Sequence, residues 1–119
     1  MLPSPQQSLH LSTYVDRSVD EVYAYVTDPA RLPEWAAGIS PDVEVRFAPP
    51  NPFGVADHDV TLPDGTVVTI PMRVIADGDH CEVVFTLRRQ PGTDDEAYAA
   101  DAAALRADLA TLAERLEGH

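Results

Sequence analysis

Apolar residues recur along this chain at two spacings, and the switch between them separates strand-like from helix-like stretches. Residues 8–15, SLHLSTYV, alternate Leu9, Leu11, Thr13 and Val15 against His10, Ser12 and Tyr14, the period of two of a half-buried strand. Ser18-Val19-Asp20-Glu21 then spells a capping box, in which the Ser18 hydroxyl serves the Glu21 amide and the Glu21 carboxylate reaches back. Val19, Val22, Tyr23 and Val26 follow at helical spacing, predicting a helix of about two and a half turns. Asp28-Pro29 restarts the pattern as N-cap and first residue of a second short helix, ARLPEWA, ending at Gly38.

From Val43 the period returns to two. Stretches 43–48, 53–62, 66–75 and 80–89 read as four further strands. Asp-Gly pairs in LPDGT and ADGD suit tight hairpin turns, so the order is an antiparallel meander. APPNP stiffens the first connection, and Pro71 removes one ladder amide, which predicts a bend or bulge in its strand. Gly92-Thr93-Asp94-Asp95 ends the sheet and caps a long helix with Tyr98, Ala102, Leu105, Leu109, Leu112 and Leu116 on one stripe and Gly118 as its stop. Such a stripe fits a coiled coil or bundle equally well. Here the apolar strand faces need a cover, and this helix alone has the length to provide it.

At 119 residues the chain has the length of one domain with one core, spanning 1–119. Hydrophobic residues make up 45% and charged residues 24%, which excludes the composition of a disordered chain. The net charge of −12 repels phosphate backbones and anionic lipid surfaces, so nucleic acid is not an expected partner. The single cysteine, Cys81, excludes an internal disulfide framework and a Cys-rich zinc module and suits a reducing compartment. MLPSPQQS lacks the basic and apolar regions of an export signal, and no run has the length of a membrane span. A cytoplasmic location is the expectation.

The triplet Asp57-His58-Asp59 is the chemically most suggestive stretch. On a strand Asp57 and Asp59 share one face with Val55 and Thr61, and His58 shares the other with Ala56, Val60 and Leu62. The three cannot converge on one atom, and no second His or Cys stands at ligand spacing, so no metal site is expected. The apolar faces Val43/Val45/Phe47, Val68/Ile70/Met72/Val74 and Cys81/Val83/Phe85/Leu87 should grip the helix. His58 then points inward, either as a buried imidazole satisfied by its neighbours or as a cavity histidine able to exchange a proton. Asp57 and Asp59 should face solvent. Asp101 and Asp108, seven residues apart, superpose to within about 20° on the flank of the helical stripe. They are either solvated carboxylates or partners of His58, and His58, Asp101 and Asp108 form the catalytic candidate set. Trp35, Tyr23, Tyr25, Tyr98, Met72, Phe85 and Leu105, together with His58, are the candidate ligand surface. Cys81 reads as an inert buried thiol. Without G-x-S-x-G, G-x-x-x-x-G-K-[ST] or G-x-G-x-x-G, serine chemistry and nucleotide binding lack support, and no cofactor is expected.

HLSTYVDRSVDEVYAYVTDPARLPEWAAG, VRFAPPNPFGVADHDVTLPDG and EVVFTLRRQPG followed by DEAYAADAAALRADLATL resemble the SRPBCC superfamily, the START-related, polyketide cyclase/dehydratase and lipid-transfer group. The resemblance covers nearly the whole chain. It implies an α+β helix-grip fold, a curved antiparallel sheet of about five strands wrapped around the long C-terminal helix, with two short helices after strand one and an apolar cavity beneath. One departure stands out: relatives carry a further hairpin before the strand corresponding to VEVRF, where residues 38–42 here bridge directly. The pocket should therefore be shallower, and strand 43–48 should be an exposed edge open to homodimer formation. What the resemblance implies for function is binding of a small apolar, aromatic or lipid-like ligand. The alternatives are a cyclase/dehydratase-like enzyme with His58 as acid/base, or a truncated dimerisation module.

Overall fold

Two antiparallel three-stranded sheets and a 23-residue helix carry the fold of the computed structural model, which describes residues 7–36 and 42–118. In chain order the elements are β1 (Ser8–Val15), α1 (Val19–Val26), a 3-10 turn (Pro29–Arg31), α2 (Leu32–Trp35), β2 (Glu44–Phe47), β3 (His58–Thr61), β4 (Val67–Ile70), β5 (Met72–Asp77), β6 (His80–Arg88) and α3 (Asp95–Glu117). The Ser18 oxygen accepts from the Glu21 amide at 3.2 Å, and its hydroxyl donates to Glu21 Oε1 at 3.4 Å. The return half of the box is thus made through the hydroxyl. Asp28 caps the next turn by accepting from the Ala30 amide at 3.0 Å. The single short helix expected there is a 3-10 turn running into α2. Its expected end at Gly38 and the direct bridge over 38–42 lie largely outside the described residues.

One sheet has the order β1-β6-β5 and the other β2-β3-β4. They are continuous in register: three residues back from the pair His58↔Ile70, and three residues on, lies the bridge Val55↔Arg73. The split falls at Pro71, as its missing amide predicts. Thr86 N donates to Pro71 O at 3.0 Å, and Pro71 has no N–H to return. The predicted strand 66–75 is therefore two strands, and 53–62 keeps ladder pairing over His58–Thr61 with the Val55 bridge beyond it. Counted through this break, five strands make the curved surface. Gly54 permits the close approach on the far side of the break. Its φ is 72°, and a Cβ there would run into the Val74 carbonyl oxygen, so a side chain at 54 is excluded by backbone angle and by space alike.

Tyr98, Ala102, Leu105, Leu109 and Leu112 are the buried stripe of α3, with Leu116 half-buried. The helix lies against β1 and α2, while α1 lies against β5 and β6. Both ends of α3 are tied to the sheet's own chain. At its start the Tyr98 hydroxyl donates to Leu87 O at 2.9 Å, and Arg89 pairs with Asp95 at 2.7 Å. At its end Glu117 accepts from the Asp16 amide at 2.6 Å. Val15, Val22, Val26, Met72, Cys81, Val83 and Leu112 are fully buried between these layers. No helix among the described residues is long and apolar enough to cross a membrane.

Candidate functional site

Asp57-His58-Asp59 sits where the two sheets join, with Asp57 opposite Pro71 in the register. Along this strand pair the hydrogen-bonded positions alternate: Leu62 N donates to Thr66 O at 2.8 Å, Ala56 N to Met72 O at 2.9 Å, and Val74 N to Gly54 O at 2.8 Å. An unbroken ladder would return Met72 N–H to Ala56 O. Instead Met72 N donates to Asp57 Oδ1 at 2.8 Å, and the carbonyl it leaves is taken by His58 Nδ1 at 3.1 Å. Two neighbouring side chains replace one ladder bond. Arg73 Nη1 pairs with the same Asp57 oxygen, and Asp59 accepts from the Thr69 hydroxyl at 2.7 Å. The expectation that both aspartates simply face solvent is corrected: they lie on the outer face, half-buried, with their carboxylates engaged by the neighbouring strand segment.

His58 points inward and is 8% exposed. Its ring lies 5.0 Å from that of Phe47 and 6.0 Å from that of Phe85, centroid to centroid. A carbonyl oxygen can only accept, so Nδ1 carries the proton, and in the neutral ring Nε2 presents a lone pair. Burial pulls the pKa below its ordinary value, outweighing the opposite pulls of the Ala56 carbonyl, Asp57 and Asp59. At neutral pH the group is an uncharged acceptor framed by two aromatic rings. Nε2 has no partner among the described residues.

The inner apolar face is sealed at one end and open at the other. Val74, Cys81 and Val83 are buried, whereas Val45, Phe47, Ile70 and Leu87 are only partly covered. His58 stands on the open side. Of the other candidate ligand residues, Met72, Phe85 and Leu105 belong to the core, and Phe85 alone of these meets His58 through a ring contact. The Tyr98 hydroxyl is committed to Leu87 O. The Tyr23 hydroxyl oxygen accepts from Asn51 N and Nδ2, each at 3.2 Å, and so anchors the proline-rich loop. The Tyr25 hydroxyl donates to Glu34 at 2.8 Å beneath the Arg31 guanidinium, and burial followed by Glu34 raises its pKa. Trp35 is buried, and its Nε1 has no hydrogen-bond partner among the described residues.

Asp101 is exposed, and Asp108 is half-buried with its carboxyl raised by desolvation. Neither hydrogen-bonds His58, whose charged neighbours are Asp57 and Asp59. Burial pushes the Cys81 thiol up. No group of three His, Cys, Asp or Glu side chains among the described residues could hold a metal. Two contributors were missed from sequence. Phe47, opposite His58 in the β2–β3 register, reads from the sequence only as a core residue. Asn51 closes its own loop by accepting from the Phe53 and Val55 amides at 3.0 and 3.1 Å, a turn that the flanking prolines in PPNPFG signal.

No protein-family model matches the sequence, and neither does any curated protein. Solved structures do match. CalU16 from Micromonospora echinospora superposes with a TM-score of 0.71 at 15% identity, over 95% of this chain and 76% of that one. DynU16, from the dynemicin biosynthetic locus, gives 0.72 at 18% identity over 95% of this chain and 48% of that one. A START superfamily protein from Mycobacterium smegmatis gives 0.63 at 14% identity over 96% and 99%. The chain shares their helix-grip fold. It spans about half the length of DynU16. At these identities the likeness is one of fold alone, a helix gripped by a curved sheet, here with small sheets.

Proposed function

We propose that this SRPBCC-fold chain binds a small, uncharged, mainly aromatic molecule on the open end of its inner sheet face, with a ligand hydroxyl donating to His58 Nε2. The observation that carries this reading is the fixed tautomer of His58: Ala56 O holds the proton on Nδ1, leaving the Nε2 lone pair on a ring that packs against Phe47 and Phe85. The partly covered Val45, Ile70 and Leu87 supply apolar area beside it. Apart from His58 the inward positions of β2 to β6 are apolar, and in the cavity of about 250 Å³ that His58 lines the carboxylates of Asp57 and Asp59 outnumber the one cation among the described lining residues, Arg46, which disfavours an anionic ligand. A phenol or enol is favoured over a fatty acid. The origin of DynU16 in a biosynthetic locus supports a small organic ligand over a macromolecule.

The test compares 2-naphthol, 2-methoxynaphthalene and decanoic acid by thermal shift and calorimetric titration. A molecule that binds only the folded chain raises Tm with concentration. 2-Naphthol should bind about tenfold tighter than its methyl ether, the worth of one buried hydrogen bond, and His58→Phe should erase that difference while keeping ring contact. Equal affinity for the two naphthalenes, or tighter binding of decanoic acid, would sink the proposed acceptor role.

A further inference from the structure

The free edge of β2 is self-complementary. Ala48 N donates to Asp57 O at 2.8 Å, and the register continues through Arg46↔Asp59 and Glu44↔Thr61. Residues 44, 46 and 48 therefore turn their amides and carbonyls toward β3, and those of Val43, Val45 and Phe47 point away from the sheet. Among the described residues no strand pairs with that side of β2. Tyr23, Thr27 and Pro29 line an open cleft of about 410 Å³ together with β2.

We propose that a second copy of this chain occupies the edge, its β2 running antiparallel about a two-fold axis through Val45. In that register Val45 faces the partner's Val45, and Val43 and Phe47 face the partner's Phe47 and Val43. All of these are outward-pointing positions, so each pair exchanges two hydrogen bonds, about six in total. Other registers are poorer. A two-fold through Phe47 would place Val45 opposite the partner's Pro49, which has no N–H to give, and one through Glu44 or Arg46 would set like charges face to face. Between the bonded pairs, Glu44 meets the partner's Arg46, and Arg46 meets the partner's Glu44, at the positions where antiparallel side chains come closest. In one chain these two side chains are 71% and 82% exposed and 4.0 Å apart, available to re-pair across the axis. The result is one sheet continuous through both copies, with an isologous contact that closes on itself.

Sedimentation velocity or size-exclusion with light scattering at about 150 mM salt, from about 1 to about 500 µM protein, should show a monomer–dimer equilibrium. Glu44→Arg sets arginine against arginine twice and should raise the dissociation constant at least about tenfold; Arg46→Glu should do the same with opposite sign. The double variant E44R/R46E restores both pairs and should dimerise within about threefold of the parent. Circular dichroism and melting confirm that each variant is folded. A parent that stays monomeric throughout leaves the edge to another protein or to none, and overturns the proposal. So does a dimer indifferent to Glu44→Arg, or a folded double variant that fails to recover.

Discussion

At the scale of single residues, His58 links burial to pH. Its imidazole titrates below the ordinary value in the folded chain because burial disfavours the charged form, while in the unfolded chain it titrates near ~6.5. As pH falls through ~6.5, the unfolded state takes up a proton that the folded state refuses, so stability declines until the folded pKa is passed. Asp57 and Asp59 oppose this shift without reversing it. Melting temperature followed from pH 7.5 to 5 should therefore fall more steeply for the parent than for His58→Phe, which removes the titrating group. Parallel curves would show that the ring is not desolvated. The inward aim of His58 was legible in the alternation of 55–62, because one residue's offset flips the face. Its tautomer was not, since the carbonyl that fixes it is vacated by an event on another strand.

That event belongs to the scale of elements. Pro71 announced a break in its strand, but the sequence did not reveal what mends it. Asp57 does so by accepting from Met72, fifteen residues on, a pairing visible only once the register of β3 against β4 and β5 is known. Asp57→Ala removes the acceptor that the Met72 amide uses, and the ladder carbonyl opposite, Ala56 O, is turned to His58. An unpaired amide at this half-buried join should cost about 1–3 kcal/mol in denaturant unfolding, and hydrogen exchange at Met72 should accelerate. Asp57→Asn keeps an oxygen for the Met72 amide and gives up the charge opposite Arg73, so its loss should be the smaller of the two. Equal losses would mean that the Arg73 pair, and not the amide, holds the join.

For the whole molecule the order of strands and helices was readable, because each element carries its own period and cap. The role of α3 was less so. Its stripe would serve a coiled coil as well, and the choice rested on which surfaces lacked a cover; Tyr98, Arg89 and Glu117 now show how its ends are held. Charge remains a property of the molecule as a whole. Twenty acids face eight arginines, and several arginines, such as Arg73 and Arg89, already have acidic partners. The excess carboxylates repel one another. At about 10 mM salt the screening length is ~30 Å, comparable to the molecule's 42 × 29 × 26 Å extents, so charges on opposite sides interact. At about 150 mM it is ~8 Å and only neighbours do. Close pairs are weakened less than this long-range repulsion, so raising sodium chloride between these limits at pH 7.5 should raise Tm by about 2–6 °C. An equal osmolality of glucose, which does not screen, should leave most of that rise missing. A Tm that falls with salt would instead mean that the local ion pairs outweigh the net charge, and the stability of this acidic chain would then rest on contacts such as Arg89–Asp95.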